Sequence, residues 1–202
     1  MAVPPDGLLR TDRTRCWWCG DHEDYVHYHD TEWGRPVRDD RRLYEKVCLE
    51  SFQSGLSWLT ILRKRENFRR AFADFDWTRV ARFGESDVER LLQDSGIVRH
   101  RGKIEATITN AQALETLLES EDSFADYVWG FEPKPGDRPK TLDYPTLSKL
   151  AVTPASKALA KDLKRRGFVW VGPTTAYAFM QAMGLVNDHL EGCWVRDEQQ
   201  AG

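Results

Sequence analysis

From about Asp39 onward, apolar residues recur along this chain at helical spacing. Asp39 is placed to cap a helix, Asp39–Gln53, whose inward face is Leu43, Val47 and Phe52, with Gly55 ending it. A second helix follows Ser57 and sets Trp58, Ile61, Leu62, Phe68 and Phe72 on one face. Asp76 begins a short third helix. Ser86-Asp-Val-Glu89 has the form of a capping box and opens a fourth, which carries Leu91 and Leu92 as far as Gly96. Ile104, Ile108, Ala111, Leu114 and Leu118 mark a long amphipathic helix, and a short one covers Phe124–Trp129. The Pro-rich run from Phe131 to Lys140 breaks all periodicity and reads as an exposed connector. After Thr153-Pro154 a helix runs over Ser156–Arg166 to Gly167, and Pro173 opens another that ends at Gly184. No segment alternates over strand length and there are no internal repeats. The pattern predicts an all-α fold.

The last two helices are joined by Gly167-Phe-Val-Trp-Val-Gly172. Helix, Gly, short apolar turn, Gly and a helix opened by Pro-Thr-Thr is the outline of a helix-hairpin-helix. Free N–H groups at the second N-terminus, around Thr174, would then face a DNA phosphate, with Lys164, Arg165 and Arg166 beside them. An ordinary helical corner with a Gly cap fits the same residues.

Composition narrows the classes. The chain has 202 residues, 41% hydrophobic and 30% charged, enough for one domain of two helical lobes with a real core. A net charge of −3 supplies no general attraction to nucleic acid. Any DNA contact must come from local clusters: Arg63-Lys64-Arg65, Arg99-His-Arg101-x-Lys103 and Lys161-x-x-Lys164-Arg165-Arg166. No apolar run approaches a membrane span, and four cysteines without a signal region point to a reducing cytoplasm. Residues 1–14 read as a loose leader and 196–202 as a tail. Between them, 15–195 form a single domain, with one lobe over about 39–130 and the other built from both chain ends, including the hairpin 156–184.

Chemistry concentrates near the N-terminus. Tyr25-Val-His-Tyr-His-Asp-Thr-Glu-Trp-Gly34 crowds side chains that each need a polar partner when buried, which suits one wall of a binding pocket. Eight Trp in the chain favour a site that stacks planar groups. Cys16, Cys19, His29, His189 and Cys193 are five candidates for four tetrahedral metal positions. A bound zinc would pin the two chain ends together. A Cys16/Cys19 redox pair is the rival reading, and it lacks a thioredoxin-like context. Cys48 reads as a small buried hydrophobe, and His22, His27 and His100 have no visible partner.

Several long strings carry a resemblance: Tyr-x-x-Tyr-His-Asp-x-Glu-Trp-Gly (25–34), Cys-Leu-Glu-x-x-Gln-x-Gly-Leu-Ser-Trp (48–58), Lys-Arg-Glu-Asn-Phe (64–68), Asp-x-Gly-Ile-x-Arg-His-Arg-Gly-Lys-Ile (94–104), and Arg-Gly-Phe-x-x-Val-Gly with Phe-Met-Gln-Ala-x-Gly-Leu-Val-Asn-Asp-His (166–189). In order, from about Arg15 to Cys193, the chain resembles the bacterial 3-methyladenine DNA glycosylase I family of the helix-hairpin-helix glycosylase superfamily. The resemblance implies one structural Zn2+ held by Cys16, His29, His189 and Cys193, leaving Cys19 out. It implies a base pocket of Trp18, Tyr25, Tyr28, Trp33, Glu50 and Trp58, with Glu50 and Tyr28 in catalysis, and a duplex-inserting turn at Gly55-Leu56. DNA contacts at Gly167, Gly172, Thr174, Lys164 and Arg165 complete the expected site. Many superfamily members place a catalytic Asp where this chain has Asn187.

These assignments imply a monomeric, monofunctional glycosylase acting on double-stranded DNA that contains alkylated bases. An alkylated purine is a cationic leaving group, so flipping and recognition matter more than general-acid help. Glu50 is expected to recognise the base rather than activate water, and Asp30 to orient His29, with Asp30 and Glu32 as alternatives to Glu50. A zinc hydrolase is disfavoured because four protein ligands close the shell. A damage-sensing module without turnover is disfavoured because Glu50 and every aromatic position are kept.

Overall fold

The computed structural model, which describes residues 3–201, opens with a two-stranded ribbon where the pattern predicts a loose leader. Strand β1 (Leu8–Arg10) pairs antiparallel with β2 (Thr14–Cys16), Leu8 opposite Cys16 and Arg10 opposite Thr14. Leu8 and Cys16 are buried with Leu190, Cys193 and Val195 in a small cluster of their own. That contact with the C-terminal segment holds the leader, and three-residue strands are too short to read by alternation.

Helix α1 (Glu23–Thr31) covers most of the aromatic stretch, for which the pattern gave no regular structure. The predicted helices then follow: α2 (Asp40–Gln53), α3 (Trp58–Ala71), α4 (Trp77–Val80), α5 (Glu85–Gln93), α6 (Arg101–Leu117) and α7 (Phe124–Trp129). Asp39, Ser57 and Asp76 cap α2, α3 and α4 as expected, accepting from Arg42, Thr60 and Thr78 N–H groups. The start of α5 lies earlier than Ser86: Gly84 is its N-cap, and Asp87 accepts the Gly84 N–H at 3.1 Å. The connector holds a short turn at Pro135–Asp137 and leads to α8 (Tyr144–Leu147). Helix α9 (Pro154–Arg165) starts two residues before Ser156, capped by Thr153, and α10 (Pro173–Ala182) follows the hairpin. The expected tail is helical too, as α11 (Trp194–Ala201), anchored by buried Val195. The fold is mostly helical, with the ribbon as its one departure from all-α among the described residues.

Helix α2 runs through the middle. Its residues are buried without a break from Leu43 to Phe52, against α3, α6, α7 and α10. Phe52 packs on Phe68 at 4.5 Å, and Tyr44 donates its hydroxyl to the Thr107 carbonyl at 2.8 Å. At its N-terminus, Asp40 accepts the Phe124 and Ala125 N–H groups and so fixes the start of α7. One core cluster extends from Tyr28 to Val186.

The segment after α1 lies directly on the end of α10: Val37 N–H donates to the Met183 carbonyl at 3.1 Å. Gly184 makes this approach possible, with φ of +79° and a hypothetical Cβ only 2.4 Å from Pro36 N. Gly184→Ala is therefore expected to lower stability by at least about 2 kcal/mol in chemical denaturation, combining left-handed strain with overpacking. Gly136→Ala, which meets nothing within 4 Å, serves as the near-neutral control.

Candidate functional site

Both chain ends meet at one buried cluster. The ligand atoms of Cys16, His29, His189 and Cys193 all lie within 4.8 Å of one another. Cys193 Sγ is 3.6 Å from His29 Nε2 and 3.7 Å from His189 Nδ1, and Cys16 Sγ is 3.8 Å from His189 Nδ1. Tetrahedral zinc with sulfur and nitrogen ligands has donor–donor edges of about 3.6 Å, so the spacing fits such an ion. The other ring nitrogens are tied down: His29 Nδ1 to Asp30 Oδ1 at 2.8 Å, and His189 Nε2 to the Trp33 carbonyl at 3.0 Å. Those bonds turn one nitrogen of each ring toward the thiols. Asp30 is itself gripped by Arg15 at 2.9 Å. Burial raises the Asp30 pKa, but hydrogen bonds from Arg15 and His29 outweigh it and hold the carboxyl below its usual range. The Cys193 thiol is held low by hydrogen bonds from Cys16, His189 and His29, while the contact with Cys193 and burial push Cys16 up. Cys19 stands outside the cluster and donates its thiol to the Cys16 carbonyl at 3.2 Å. The four groups are able to bind a metal.

Next to this cluster lies a cavity of about 440 Å³. Trp18, Tyr25, Tyr28, Trp33, Glu50 and Trp58 all line it. Trp18 contacts Tyr25 at 5.2 Å and Trp33 at 5.0 Å, while Tyr28 contacts Trp58 at 5.4 Å. Trp33 also meets the His189 ring edge-on at 4.7 Å, so the aromatic wall leans on the Cys/His cluster. The Trp58 indole N–H is buried without an acceptor. Burial keeps Tyr28 protonated, its pKa well above the ordinary phenol value, and pushes Tyr25 up to about 12.

Glu50 is 5% exposed and reaches the cavity from α2. One helical turn before it stands Lys46, a buried residue not singled out in the sequence. Its Nζ lies 3.0 Å from Glu50 Oε1, donates to the Tyr28 hydroxyl at 2.7 Å and sits 3.3 Å from the Trp58 ring centroid. The i, i+4 spacing of Lys46 and Glu50 was the available signal. Glu32, the other carboxylate considered, pairs with Arg65 at 2.6 Å and does not line this cavity.

A second carboxylate, Asp188, also lines the cavity. It accepts from the Tyr177 hydroxyl at 2.5 Å and from Gln181 at 2.8 Å, and it pairs with Arg138. Arg138 comes from the connector, so that segment is fastened to the site rather than simply exposed. Asn187 turns instead to its own backbone and accepts the His189 N–H at 3.2 Å.

The remaining predicted positions gather on the surface. Gly55 and Leu56 are exposed at the turn between α2 and α3, with Leu56 at 42%. The hairpin presents exposed Val169 and Trp170, and Trp170 holds the left-handed conformation at φ +58°. Ser51 Oγ donates to the Trp170 carbonyl at 3.2 Å. Lys103 Nζ donates to the Ser54 carbonyl at 2.6 Å and stands 5.7 Å from the Trp170 ring. The two turns therefore lie side by side. Asn110, fully buried, brackets Val169 with two hydrogen bonds. Gly167 is left-handed at +94°, whereas Gly172 is extended and simply precedes α10, whose first turn has no side-chain cap near exposed Thr174. Most of the basic clusters is engaged internally: Arg63 with Asp24, Arg65 with Glu32, Arg101 with Glu85, and Arg165 and Arg166 with Asp162. Among the described residues, Arg99, Lys161 and Lys164 are exposed and form no ion pair.

Residues 18–197 match the family model described as methyladenine glycosylase. The chain is 51% identical over 180 residues to DNA-3-methyladenine glycosylase 1 of Escherichia coli, covering 89% of this chain and 95% of that one. It is 47% identical over 181 residues to DNA-3-methyladenine glycosylase of Haemophilus influenzae, covering 89% and 96%. A crystal structure of 3-methyladenine DNA glycosylase I superposes with a TM-score of 0.82 at 51% identity, covering 89% and 98%.

The cluster predicts that purified protein retains about one transition-metal ion per chain by elemental analysis. Asp30→Ala, which frees His29 Nδ1, is expected to weaken metal retention about 10- to 100-fold in chelator competition. Protein that retains no metal and keeps its full thermal stability would show that the four groups serve only as a hydrogen-bonded knot.

Proposed function

The chain belongs to the methyladenine glycosylase family, and we propose that its cavity receives an everted 3-methyladenine nucleotide between Trp and Tyr faces, with Glu50 accepting from the exocyclic amine. The activity is excision of 3-methyladenine from DNA, an N-glycosyl hydrolysis in base excision repair. The convergence of Trp18, Tyr25, Tyr28, Trp33 and Trp58 with the Glu50 carboxylate on a single cavity carries the reading of the site.

An N3-alkylated purine in DNA is a cation and leaves C1′ as a neutral base, so the protein's task is extraction and discrimination. Each ring placed against that cation attracts it by about 0.5–2 kcal/mol, a gain that neutral adenine lacks. Ionised Glu50 only accepts hydrogen bonds, which suits an amine on a positively charged ring. Tyr28 receives a hydrogen bond from Lys46 on its oxygen and has its own proton left to donate. Water then adds at C1′ and gives a proton to solvent, as the bond to N9 breaks and its electron pair leaves with the base, now neutral. Asp188 is committed to Arg138, Tyr177 and Gln181, and Asn187 is an amide bonded to its own backbone, so neither activates the water. Lys46 stands behind the aromatic wall rather than at the sugar, which favours hydrolysis without a lyase step.

Cys16, His29, His189 and Cys193 fit Zn2+, and four protein ligands leave no open position, so the ion's part is structural. On double-stranded DNA, Leu56 fills the vacated stack while the Gly167–Gly172 turn, the α10 N-terminus near Thr174, and Lys164 with Arg165 meet the backbone. Four buried, unpaired cysteines suit a reducing cytoplasm, and no helix among the described residues is long and apolar enough to cross a membrane. A monomer suffices, since one chain supplies every group named.

The test is release of 3-methyladenine from methylated duplex DNA under single-turnover conditions. Glu50→Gln is expected to slow release about 100-fold. Unchanged release would remove Glu50 from the site. Leu56→Ala is expected to weaken binding to a duplex with a stable abasic analogue about tenfold, in line with lost apolar burial. Equal binding would retire the insertion at that turn.

A further inference from the structure

Lys46 has no assigned part in base recognition, yet it touches three of the groups that do. It is 4% exposed, on the side of Glu50, Tyr28 and Trp58 away from the open cavity. The charged and titratable groups around it come from three elements. Helix α2 brings Arg42, Glu45 and Glu50, α1 and its end bring Tyr28 and Glu32, and α3 brings Arg65 and Arg69. Arg65 is matched by Glu32 at 2.6 Å and Arg69 by Glu45 at 2.9 Å, while Arg42 is exposed. Lys46 and Glu50 are left to balance each other at 3.0 Å.

That balance changes when a cation enters. The resting pair is neutral overall, and the Lys46 ammonium already covers one face of Trp58. A cationic purine would be a second positive charge against the same carboxylate and the same ring, beside a Lys46–Glu50 pair that is itself almost wholly buried. The ammonium must be neutralised or the two cations repel.

We propose that Lys46 is the charge-compensating residue of the base pocket: it holds Glu50 when the pocket is empty and yields its proton to solvent when a cationic base arrives. The inference rests on the reading of the cavity as the base site. Burial supports it, since it lowers the Lys46 pKa to about 8 against the opposing pull of Glu50. The neutral amine keeps an N–H to donate to the Tyr28 oxygen, so the hydroxyl proton stays available to the base. Once the glycosidic bond breaks, the base is neutral, Lys46 regains a proton, and the pair re-forms as the product departs. A cation is thus exchanged for a proton, and a neutral purine gains nothing from the exchange.

The experiment is calorimetric titration of the full chain with neutral 3-methyladenine and with 3,9-dimethyladeninium, whose methyl group at N9 fixes the positive charge. Cation affinity in the wild type is expected to rise as much as tenfold per pH unit up to about pH 8 and then level off, with about one proton released below that pH. Affinity for the neutral base should stay flat across the same range. Lys46→Met should make cation binding pH-independent and about tenfold tighter than wild type at about pH 7. Cation binding without proton release, or an unchanged pH slope in Lys46→Met, would overturn the assignment. Should that variant not fold, proton release by the wild type decides alone. If neither purine binds the wild type, the base-site reading falls and takes this inference with it. If both bind with flat pH profiles, the base site stands and Lys46 is excluded.

Discussion

A helix buried on every side has to neutralise each charge it carries, and α2 carries Glu45, Lys46 and Glu50 within its buried stretch. An apolar α2 would serve the core equally well. These charges are kept where they face α1 and α3, next to the aromatic wall. Glu45 is matched from α3 by Arg69, but Glu50 is matched from within by Lys46, so its carboxylate stays available to the cavity. The position of that one acceptor depends on α2, and α2 depends on α3, α6, α7 and α10 packed around it.

The second requirement is that the wall opposite α2 be held from both ends of the chain. Trp18 follows the ribbon, and Trp33 follows α1, with its carbonyl bonded to His189 and its ring against the same imidazole. The Cys16, His29, His189 and Cys193 cluster therefore sets the wall as well as joining the termini. Arg138 reaches the same region from the connector through Asp188. Asp30, which does not line the cavity, orients the His29 ring through its bond to Nδ1.

Much of this was legible in the chain itself. Helices α2 to α4 and α7 announced themselves through caps and apolar spacing, and the six residues that the family resemblance implies, Trp18 among them from outside the quoted strings, all line one cavity. The α5 cap was misplaced because a glycine N-cap has no side chain to signal it, and Asp87 reaches back to Gly84 instead of Glu89 to Ser86. Helix α1 was obscured because its inward face is Tyr and His rather than aliphatic. The ribbon and α11 exist through contacts with each other's neighbourhood, such as Leu8 on Cys193 and Val195, and no local window contains such contacts. Arg138 with Asp188 and Asn110 with Val169 are likewise long-range pairs. The basic clusters suggested more free charge than exists, since Asp24, Glu32 and Glu85, distant in sequence, and Asp162, one helical turn away, neutralise five of the arginines.

The space beside Glu50 is proposed to take a flipped, methylated adenine. A crystal structure of the protein with 3-methyladenine and a duplex bearing an abasic analogue bears on it most directly. The purine is expected inside the cavity, its faces against Trp and Tyr rings and its amine within hydrogen-bond distance of Glu50, with Leu56 in the duplex gap. A purine ordered elsewhere, with the cavity closed by its own side chains, would contradict it.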